Sequence, residues 1–463
     1  MQYVSTRGAA GAAFADVLLG GPAPDGGLYL PEHWPQFSQS TIREFAGMPY
    51  AEAAFRIMRP FIGDAFSHDE FRADVEAAYG TFHHKAIVPL VQLAPNLFLL
   101  ELFHGPTLAF KDVALQLLGR LFARALRKRD RRATVIVATS GDTGSAAIAA
   151  LRGQPNVDVV VLHPKGRVSE VQRRQMTTVL DANVHNIALE GSFDDCQGIV
   201  KTLFADRAFS ARTHLTAVNS INFARIMAQS VYYFTAAAAL GAGAGRAVNF
   251  VVPTGNFGDI FAGEAAARMG LAVDKLVIAA NSNDILARTL STGVYQAGSA
   301  QPTLSPSMDI QVASNFERAL FEASGRDAPA TADLMGRFDA TRRIELPLDT
   351  LKTLRQRYLA ECTHDSETVA TIARVQRETG LVVDQHTAVG LAAAEALKFE
   401  LHGPVIALAT AHPAKFSDAV ARAIGRPSPL PPQLSDLLSR EERFTVVAKS
   451  PAAVADFVLE RTK

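Results

Sequence analysis

The segment VNFVVPTGNFGD (residues 248–259) contains the pattern that decides the fold, an apolar strand followed by a glycine-rich turn and the start of a helix. Similar short apolar runs, each followed by a predicted helix or turn, occur at residues 133–138, 157–162, 214–218 and 405–409. Strands that alternate with helices in this way are typical of a parallel sheet covered on both faces. The sequence therefore predicts an α/β protein.

The composition excludes several classes of protein. The chain has 463 residues, of which 48% are hydrophobic, and its 46 Lys plus Arg balance its 46 Asp plus Glu. Zero net charge argues against nucleic acid or an anionic membrane as the main partner. The two cysteines, Cys196 and Cys362, are too few for a disulfide framework, and no motif predicts a metal site. Without a signal peptide or a membrane-spanning run, we expect a cytoplasmic protein.

Three regions are predicted along the chain. Residues 1–90 are expected to form a mostly helical N-terminal domain, because apolar residues recur at helical spacing. Residues 91–425 contain the strand–helix units and are expected to form two α/β domains, the smaller at roughly residues 120–225. The Pro-rich stretch 426–434 is typical of a stiff linker, and it leads to a C-terminal tail that ends at residue 463.

Two turns between a predicted strand and a helix are candidate anion sites. In parallel sheets, helix N-termini at this edge offer free backbone N–H groups and the positive end of a dipole. The turn GNFG (residues 255–258) suits a phosphate, although an isolated Gly-x-x-Gly is also an ordinary tight turn. The segment SGDTG (residues 140–144) suits a carboxylate or phosphate, although Ser, Asp and Thr are also common helix caps. Alone, neither motif identifies a ligand.

Lys111 lies at the predicted start of an amphipathic helix, within HGPTLAFKD (residues 104–112). A helix N-terminus and apolar neighbours both disfavour a charged amine, and a neutral amine can form a Schiff base. A solvated surface lysine would have the same local pattern. The segment by itself leaves both interpretations open.

Taken together and in this order, the motifs resemble the threonine synthase family of pyridoxal-phosphate enzymes, which has the tryptophan-synthase-β-like fold (fold type II). The resemblance extends along nearly the whole chain. It rests on YVSTRG (3–8), APDGGLY (23–29), HGPTLAFKD (104–112), TSGDTG (139–144), NSINFAR (219–225), PTGNFGD (253–259), PSMDIQV (306–312), SNFER (314–318) and TAHPAKF (410–416). It implies two parallel-sheet α/β domains plus the mostly helical N-terminal domain.

The resemblance also implies a reaction, in which O-phospho-L-homoserine and water give L-threonine and phosphate as the last step of threonine biosynthesis. Lys111 would hold pyridoxal 5'-phosphate and then move protons on the substrate. The cofactor would be bound by Gly255, Asn256, Phe257, Gly258, Asp259 and Thr410, and the substrate by Ser140, Asp142, Thr143, Asn219, Ser220 and Arg225. Arg225 would hold the substrate phosphate. Relatives with Asn in place of Asp142 direct it at the phenolic oxygen of the cofactor, so the role of Asp142 stays open.

Two other functions stay open from the sequence. One is a lyase or dehydratase that acts on serine, threonine or phosphoserine, against which Asn219, Ser220 and Arg225 argue. The other is an inactive homologue that only binds amino acids, against which the intact Lys111 argues. We expect a monomer or homodimer, and we expect His412 to be a packing residue.

Overall fold

The computed structural model describes residues 1–216 and 220–462. Its N-terminal region combines a small antiparallel sheet, in the order β2-β1-β3, with four helices. The elements are β1 (Gln2–Ser5), β2 (Ala12–Ala13), α1 (Phe14–Gly20), β3 (Tyr29–Pro31), α2 (Gln39–Glu44), α3 (Tyr50–Ile62) and α4 (His68–Tyr79). In the sequence, apolar residues at helical spacing in 51–61 and 68–82 predict α3 and α4, and residues 28–30, after a strong turn, predict the short strand β3. These patterns missed β1 and β2, which are too short to show a periodic pattern.

The chain then continues as strands and helices in alternation. Between residues 90 and 216 the elements are β4 (Leu90–Ala94), β5 (Leu97–Glu101), α5 (Lys111–Lys128), β6 (Ala133–Ala138), α6 (Asp142–Leu151), β7 (Val157–Pro164), α7 (Glu170–Thr177), β8 (Val184–Leu189), α8 (Phe193–Ala205), α9 (Arg207–Thr213) and β9 (Leu215–Thr216). A strand was predicted at residues 214–218. The observed strand β9 begins one residue later, at Leu215, and residues 217 and 218 lie outside the described part of the chain.

The described chain resumes at residue 220 and carries the same alternation to its C-terminal region. The elements are α10 (Phe223–Ala239), β10 (Val248–Pro253), α11 (Gly258–Arg268), β11 (Val273–Ala280), α12 (Ile285–Thr292), β12 (Val294–Gln296), α13 (Phe316–Ala323), α14 (Ala328–Thr341), β13 (Arg343–Glu345), α15 (Leu348–Arg357), β14 (Tyr358–Cys362), α16 (Asp365–Thr379), α17 (Gln385–Ala396), β15 (Val405–Ala409), α18 (Ser417–Ile424), β16 (Thr445–Val447) and α19 (Pro451–Arg461).

Two sheets organise these elements. The larger has the order β14-β11-β10-β15-β5-β4 and is parallel except for its edge strand β4. The smaller has the order β16-β8-β7-β6-β9 and is parallel throughout. All residues of β7 and β10 are buried, as expected for central strands covered on both faces. The predicted α/β fold with two parallel sheets is confirmed.

The tail beyond the Pro-rich stretch enters the smaller sheet. Strand β16 pairs with β8, with Thr445 opposite Ile187 and Val447 opposite Leu189. Helix α19 packs on α8, and its Val454 and Val458 are fully buried in the same apolar cluster. The sequence predicted a C-terminal tail that packs on the catalytic region, with no strand in it, so β16 was missed.

The carboxyl ends of neighbouring strands place the predicted loops together. β10 and β15 are adjacent and parallel, so the glycine-rich turn after Pro253 lies beside the segment that follows Ala409. That segment also pairs with the residues before α5, since the Phe110 N–H donates to the Thr410 carbonyl at 2.8 Å. The start of α5, the glycine-rich turn and the end of β15 therefore meet at one edge of the larger sheet. No helix in the described ranges is long and apolar enough to cross a membrane.

Candidate active site

Lys111 is the first residue of α5, and its side chain is buried at the junction of the two sheets. Its Nζ lies 3.3 Å from Oδ2 of Asp142 and 4.8 Å from the centre of the Phe110 ring. Burial lowers the pKa of Lys111, and the Asp142 carboxylate opposes that effect only in part. The helix start and the lowered pKa both agree with the sequence prediction.

Asp142 begins α6, directly after the turn that follows β6. Its Oδ1 accepts hydrogen bonds from Lys415 Nζ at 2.7 Å and from Gln172 Nε2 at 2.8 Å. Burial alone would raise the pKa of Asp142, but Lys415 and Lys111 outweigh it and hold the pKa well below its usual range. Asp142 is therefore an ionised acceptor that joins two lysines.

The glycine-rich turn forms a cradle of free backbone donors. Phe257 has a φ of 63° and caps α11, so the chain turns sharply into the helix. In residues 1–216 and 220–462, no acceptor is found for the backbone N–H groups of residues 255–259. A Cβ on Gly255 would lie 2.7 Å from the Ser307 carbonyl oxygen, so only glycine fits this close approach. Free donors at a helix N-terminus fit the phosphate of pyridoxal phosphate.

The side chain of Asp259 points away from that cradle. Its Oδ1 accepts hydrogen bonds from the hydroxyls of Tyr232 and Tyr233, the second at 3.0 Å. Burial raises the pKa of Asp259 to about 6, although both tyrosines oppose the shift. The predicted contact of Asp259 with a cofactor phosphate therefore rests on its backbone N–H alone.

Thr410 follows β15 at the same edge of the sheet. It is buried, and its hydroxyl has no hydrogen-bond partner among the residues that the structure describes. Its carbonyl accepts from the Phe110 N–H, which places it next to the start of α5. An unengaged buried hydroxyl beside Lys111 fits the pyridine ring of the cofactor.

Arg225 lies in the first turn of α10 and is only 5% exposed. Neither an ion pair nor a side-chain hydrogen bond of its guanidinium occurs within the described ranges. Burial lowers the pKa of Arg225 to about 10, and the negative charge of Asp259 opposes this. A buried guanidinium without a partner is a binding group for an anion.

The other residues predicted to bind substrate differ in their burial and in their contacts. Thr143 is half-buried in the first turn of α6, whereas Ser140 is exposed. The Ser220 carbonyl accepts from Asn315 Nδ2 at 3.1 Å, and the same amide donates to the Asn256 carbonyl at 2.9 Å. Asn315 thus ties the two predicted anion sites together. Asn219 lies outside the described residues.

Sequence reasoning missed several groups of this site, of which Lys415 is the most important. It lies in TAHPAKF (residues 410–416), and a lysine inside an apolar run just after a strand was the available signal. Gln172 and Asn315 carried no such signal. His412 accepts from the Ala414 N–H at 3.2 Å, and burial lowers its pKa to about 4, which fits the expected packing role. No group of three or more potential metal ligands occurs among the described residues.

Comparison with known proteins gives three family matches along the chain. Residues 2–79 match "Threonine synthase N terminus", residues 85–346 match "Pyridoxal-phosphate dependent enzyme", and residues 387–458 match "Threonine synthase, C-terminal". The sequence is 53% identical to threonine synthase of Pseudomonas aeruginosa, over 99% of this chain and 98% of that protein.

Solved structures agree with these matches. The fold is similar to that of threonine synthase from Brucella melitensis with bound pyridoxal phosphate, with a TM-score of 0.97, 50% identity and full coverage of both chains. It is also similar to yeast threonine synthase, with a TM-score of 0.94 and 37% identity, over 99% of this chain and 98% of that one.

Proposed function

This chain belongs to the threonine synthase family, and we propose that the site around Lys111 converts O-phospho-L-homoserine and water to L-threonine and phosphate with pyridoxal phosphate as cofactor. The observation that carries the proposal is the presence of two separate sets of anion donors. One is the row of free N–H groups at residues 255–259, and the other is the guanidinium of Arg225. A lyase for an unphosphorylated amino acid would have to bind the cofactor phosphate and the substrate carboxylate, but no second phosphate.

Lys111 is the group that would hold the cofactor and move protons. When bound, pyridoxal phosphate withdraws electrons from the substrate, so that its Cα–H bond and then the neighbouring bonds can ionise. The Lys111 amine, whose pKa is lowered by burial, takes the proton from Cα in its neutral form and returns protons to the carbon chain. Asp142 accepts a hydrogen bond from that amine and orients it.

The remaining cofactor residues bind and orient. Backbone N–H groups of Gly255, Asn256, Phe257, Gly258 and Asp259 would hold the cofactor phosphate. The hydroxyl of Thr410 would meet the pyridine nitrogen, and a hydroxyl, unlike a carboxylate, does not hold that nitrogen protonated. The cofactor would then withdraw electrons more weakly than one with a protonated ring.

The substrate phosphate would bind at Arg225. Its guanidinium can form two parallel hydrogen bonds with a phosphate, which also pays part of the cost of its burial. Thr143, in the first turn of α6, and Ser220, just before α10, are proposed to complete this site together with Ser140. Asn219 is also proposed to bind the substrate phosphate. We further infer a monomer or homodimer that works in the cytoplasm.

An assay with competing substrates tests the function. The purified chain, loaded with pyridoxal phosphate, is given O-phospho-L-homoserine, and phosphate and L-threonine are measured together. We expect equal amounts of both products and negligible threonine from unphosphorylated homoserine. Equal or better turnover of serine or threonine to 2-oxo acids would instead identify a dehydratase.

A further inference from the structure

Lys415 is a second lysine in the active site, and it is completely buried. It lies in a short helical turn just after β15, far along the chain from Lys111. Its Nζ is 2.7 Å from Asp142 Oδ1 and 2.7 Å from the Thr107 carbonyl oxygen. Both acceptors are close, so the ammonium form of Lys415 is well satisfied in this position.

The Asp142 carboxylate is shared unequally between the two lysines. Lys415 binds Oδ1 at 2.7 Å, whereas Lys111 contacts Oδ2 at 3.3 Å. One negative charge can balance only one ammonium, and the shorter contact belongs to Lys415. Lys111 therefore has only the weaker share of this counter-charge.

The positive charges near Lys111 act in the same direction. Lys415 and Arg225 both lower the pKa of Lys111 further. The carboxyl of Asp259 also interacts with Lys111, and it opposes these positive charges.

Lys415 has a second carboxyl beside it. It faces Asp112, which accepts hydrogen bonds from the Thr107 N–H and hydroxyl. Lys415 thus has two carboxyls close to it, Asp142 and Asp112, whereas Lys111 has the longer contact with Asp142.

Residues of the α7 region hold this arrangement in place. Ser169 Oγ lies 3.1 Å from the Lys415 carbonyl oxygen and 3.0 Å from Gln172 Oε1, and its single proton can be donated to either acceptor. Gln172 Nε2 in turn donates to Asp142 Oδ1 at 2.8 Å. A Cβ on Gly141 would lie 2.5 Å from the Gln172 side chain, so the turn before Asp142 is fitted closely to it.

We propose that Lys415 is a positioning residue that keeps Lys111 uncharged, because its ammonium takes the closer contact with Asp142 and leaves the reacting amine only the longer one. This inference rests on the proposed function only in taking Lys111 as the amine that holds the cofactor. The proposal also gives Asp142 a role, because its carboxylate orients the Lys111 amine and does not protonate it.

Competitive acetylation of the full chain, freed of cofactor, tests the proposal. Trace acetic anhydride is applied across a pH series, and the labelling of Lys111 and Lys415 is read by peptide mass spectrometry. In the wild type we expect the midpoint of Lys111 to lie below the usual value for lysine. In Lys415→Met we expect the midpoint of Lys111 to rise by about one pH unit or more, since Asp142 then serves Lys111 alone.

Two variants serve as controls. Lys415→Arg retains the positive charge and should restore the wild-type midpoint of Lys111. Lys165→Met removes a lysine that pairs with Glu190 at the surface, at 3.2 Å, and should change nothing. The uptake of pyridoxal phosphate near neutral pH, followed by absorbance, should slow about tenfold in Lys415→Met only.

The proposal is overturned if the midpoint of Lys111 is the same in Lys415→Met and wild type. It is also overturned if the midpoint of Lys111 in the wild type is not below the usual value for lysine, a measurement that needs no variant to fold. Neither measurement uses substrate. A failure of the proposed function would appear only in the turnover assay, so the two failures are distinguishable.

Discussion

Arg318 donates two hydrogen bonds to the backbone carbonyl of Tyr29, over 3.1 and 3.0 Å. The same fully buried guanidinium donates to the Ile221 carbonyl at 2.7 Å and to the side chain of Asn315. Asn315 binds the Asn256 carbonyl of the glycine-rich turn. One arginine thus connects the N-terminal sheet to both predicted anion sites.

Replacing this arginine should weaken the whole fold. Arg318→Met removes the donors of at least three buried hydrogen bonds and leaves carbonyl groups unpaired, so we expect a loss of roughly 2–4 kcal/mol in the free energy of unfolding. Urea denaturation measures it. The control Arg337→Met breaks an exposed pair with Asp333 and should cost less than about 0.5 kcal/mol. Equal losses in the two variants would contradict a connecting role for Arg318.

Lys111→Ala should abolish turnover while the protein stays folded. The variant loses the amine that holds the cofactor, so borohydride should no longer attach pyridoxal phosphate to the chain. In the wild type, peptide mapping after reduction should find the label on Lys111. A label on Lys415, whose Nζ lies 2.7 Å from the same carboxylate, or on the surface residue Lys165 would show that Lys111 is wrongly assigned.

Gly255→Ala should weaken cofactor binding. The added Cβ would lie 2.7 Å from the Ser307 carbonyl oxygen, so the turn must move and its N–H groups lose their alignment. We expect at least a tenfold increase in the dissociation constant of pyridoxal phosphate, about 1.4 kcal/mol, measured by equilibrium titration. Gly198→Ala in α8 is the matched control, because nothing lies within 4 Å of its Cβ position. Unchanged affinity in Gly255→Ala would place the cofactor phosphate elsewhere.

Arg225→Ala should separate the substrate phosphate from that of the cofactor. We expect a loss of roughly 2–5 kcal/mol in kcat/KM for O-phospho-L-homoserine, the range for removing one partner of a buried charge pair. The affinity for pyridoxal phosphate should stay unchanged. Arg212→Ala, at an exposed position of α9, should keep full activity. Wild-type kcat/KM in Arg225→Ala would favour the dehydratase interpretation.

Asp259 should make the stability of the protein depend on pH. Burial raises its pKa from 3.8 to about 6, so its neutral form is favoured in the folded chain. Its contribution is complete below about pH 4 and is lost as the pH rises through about 6. Relative to Asp259→Asn, the wild type should therefore lose roughly 1–3 kcal/mol of unfolding free energy over that range. Parallel curves for the two proteins, measured by urea denaturation, would contradict the raised pKa.

Local sequence patterns were sufficient for β6, β7, β10 and β15 and for the loops that follow them, whereas β8 and β11 were not predicted. The strands at residues 133–138 and 405–409 have the predicted bounds, because each is an apolar run closed by a polar turn. The start of α5 at Lys111 was predicted for the same kind of local reason. β1, β2 and β16 were missed because strands of two to four residues gain their definition only from a partner strand.

Contacts between distant parts of the chain determine the features of the site that local sequence patterns did not predict. Asp142 had no clear role, since its nearest partner, Lys415, lies more than 270 positions further along the chain. Arg318 looked like an ordinary helix residue, and only the fold brings Tyr29 against its guanidinium. Local pattern identifies which residues begin helices and end strands. It does not identify which buried charges share a counter-ion.

The pairing of β16 with β8 also has a consequence for biosynthesis. β8 is translated long before Thr445–Val447, so the growing chain carries an uncovered strand edge during most of its synthesis on the ribosome. The apolar cluster under that edge, which includes Ile199 and Leu203, is likewise uncovered until Val454 and Val458 emerge. Exposed edges and apolar surface of this kind attract chaperones and favour aggregation. We therefore expect a nascent chain that stops before β16 to be retained by chaperones, whereas the full chain is released.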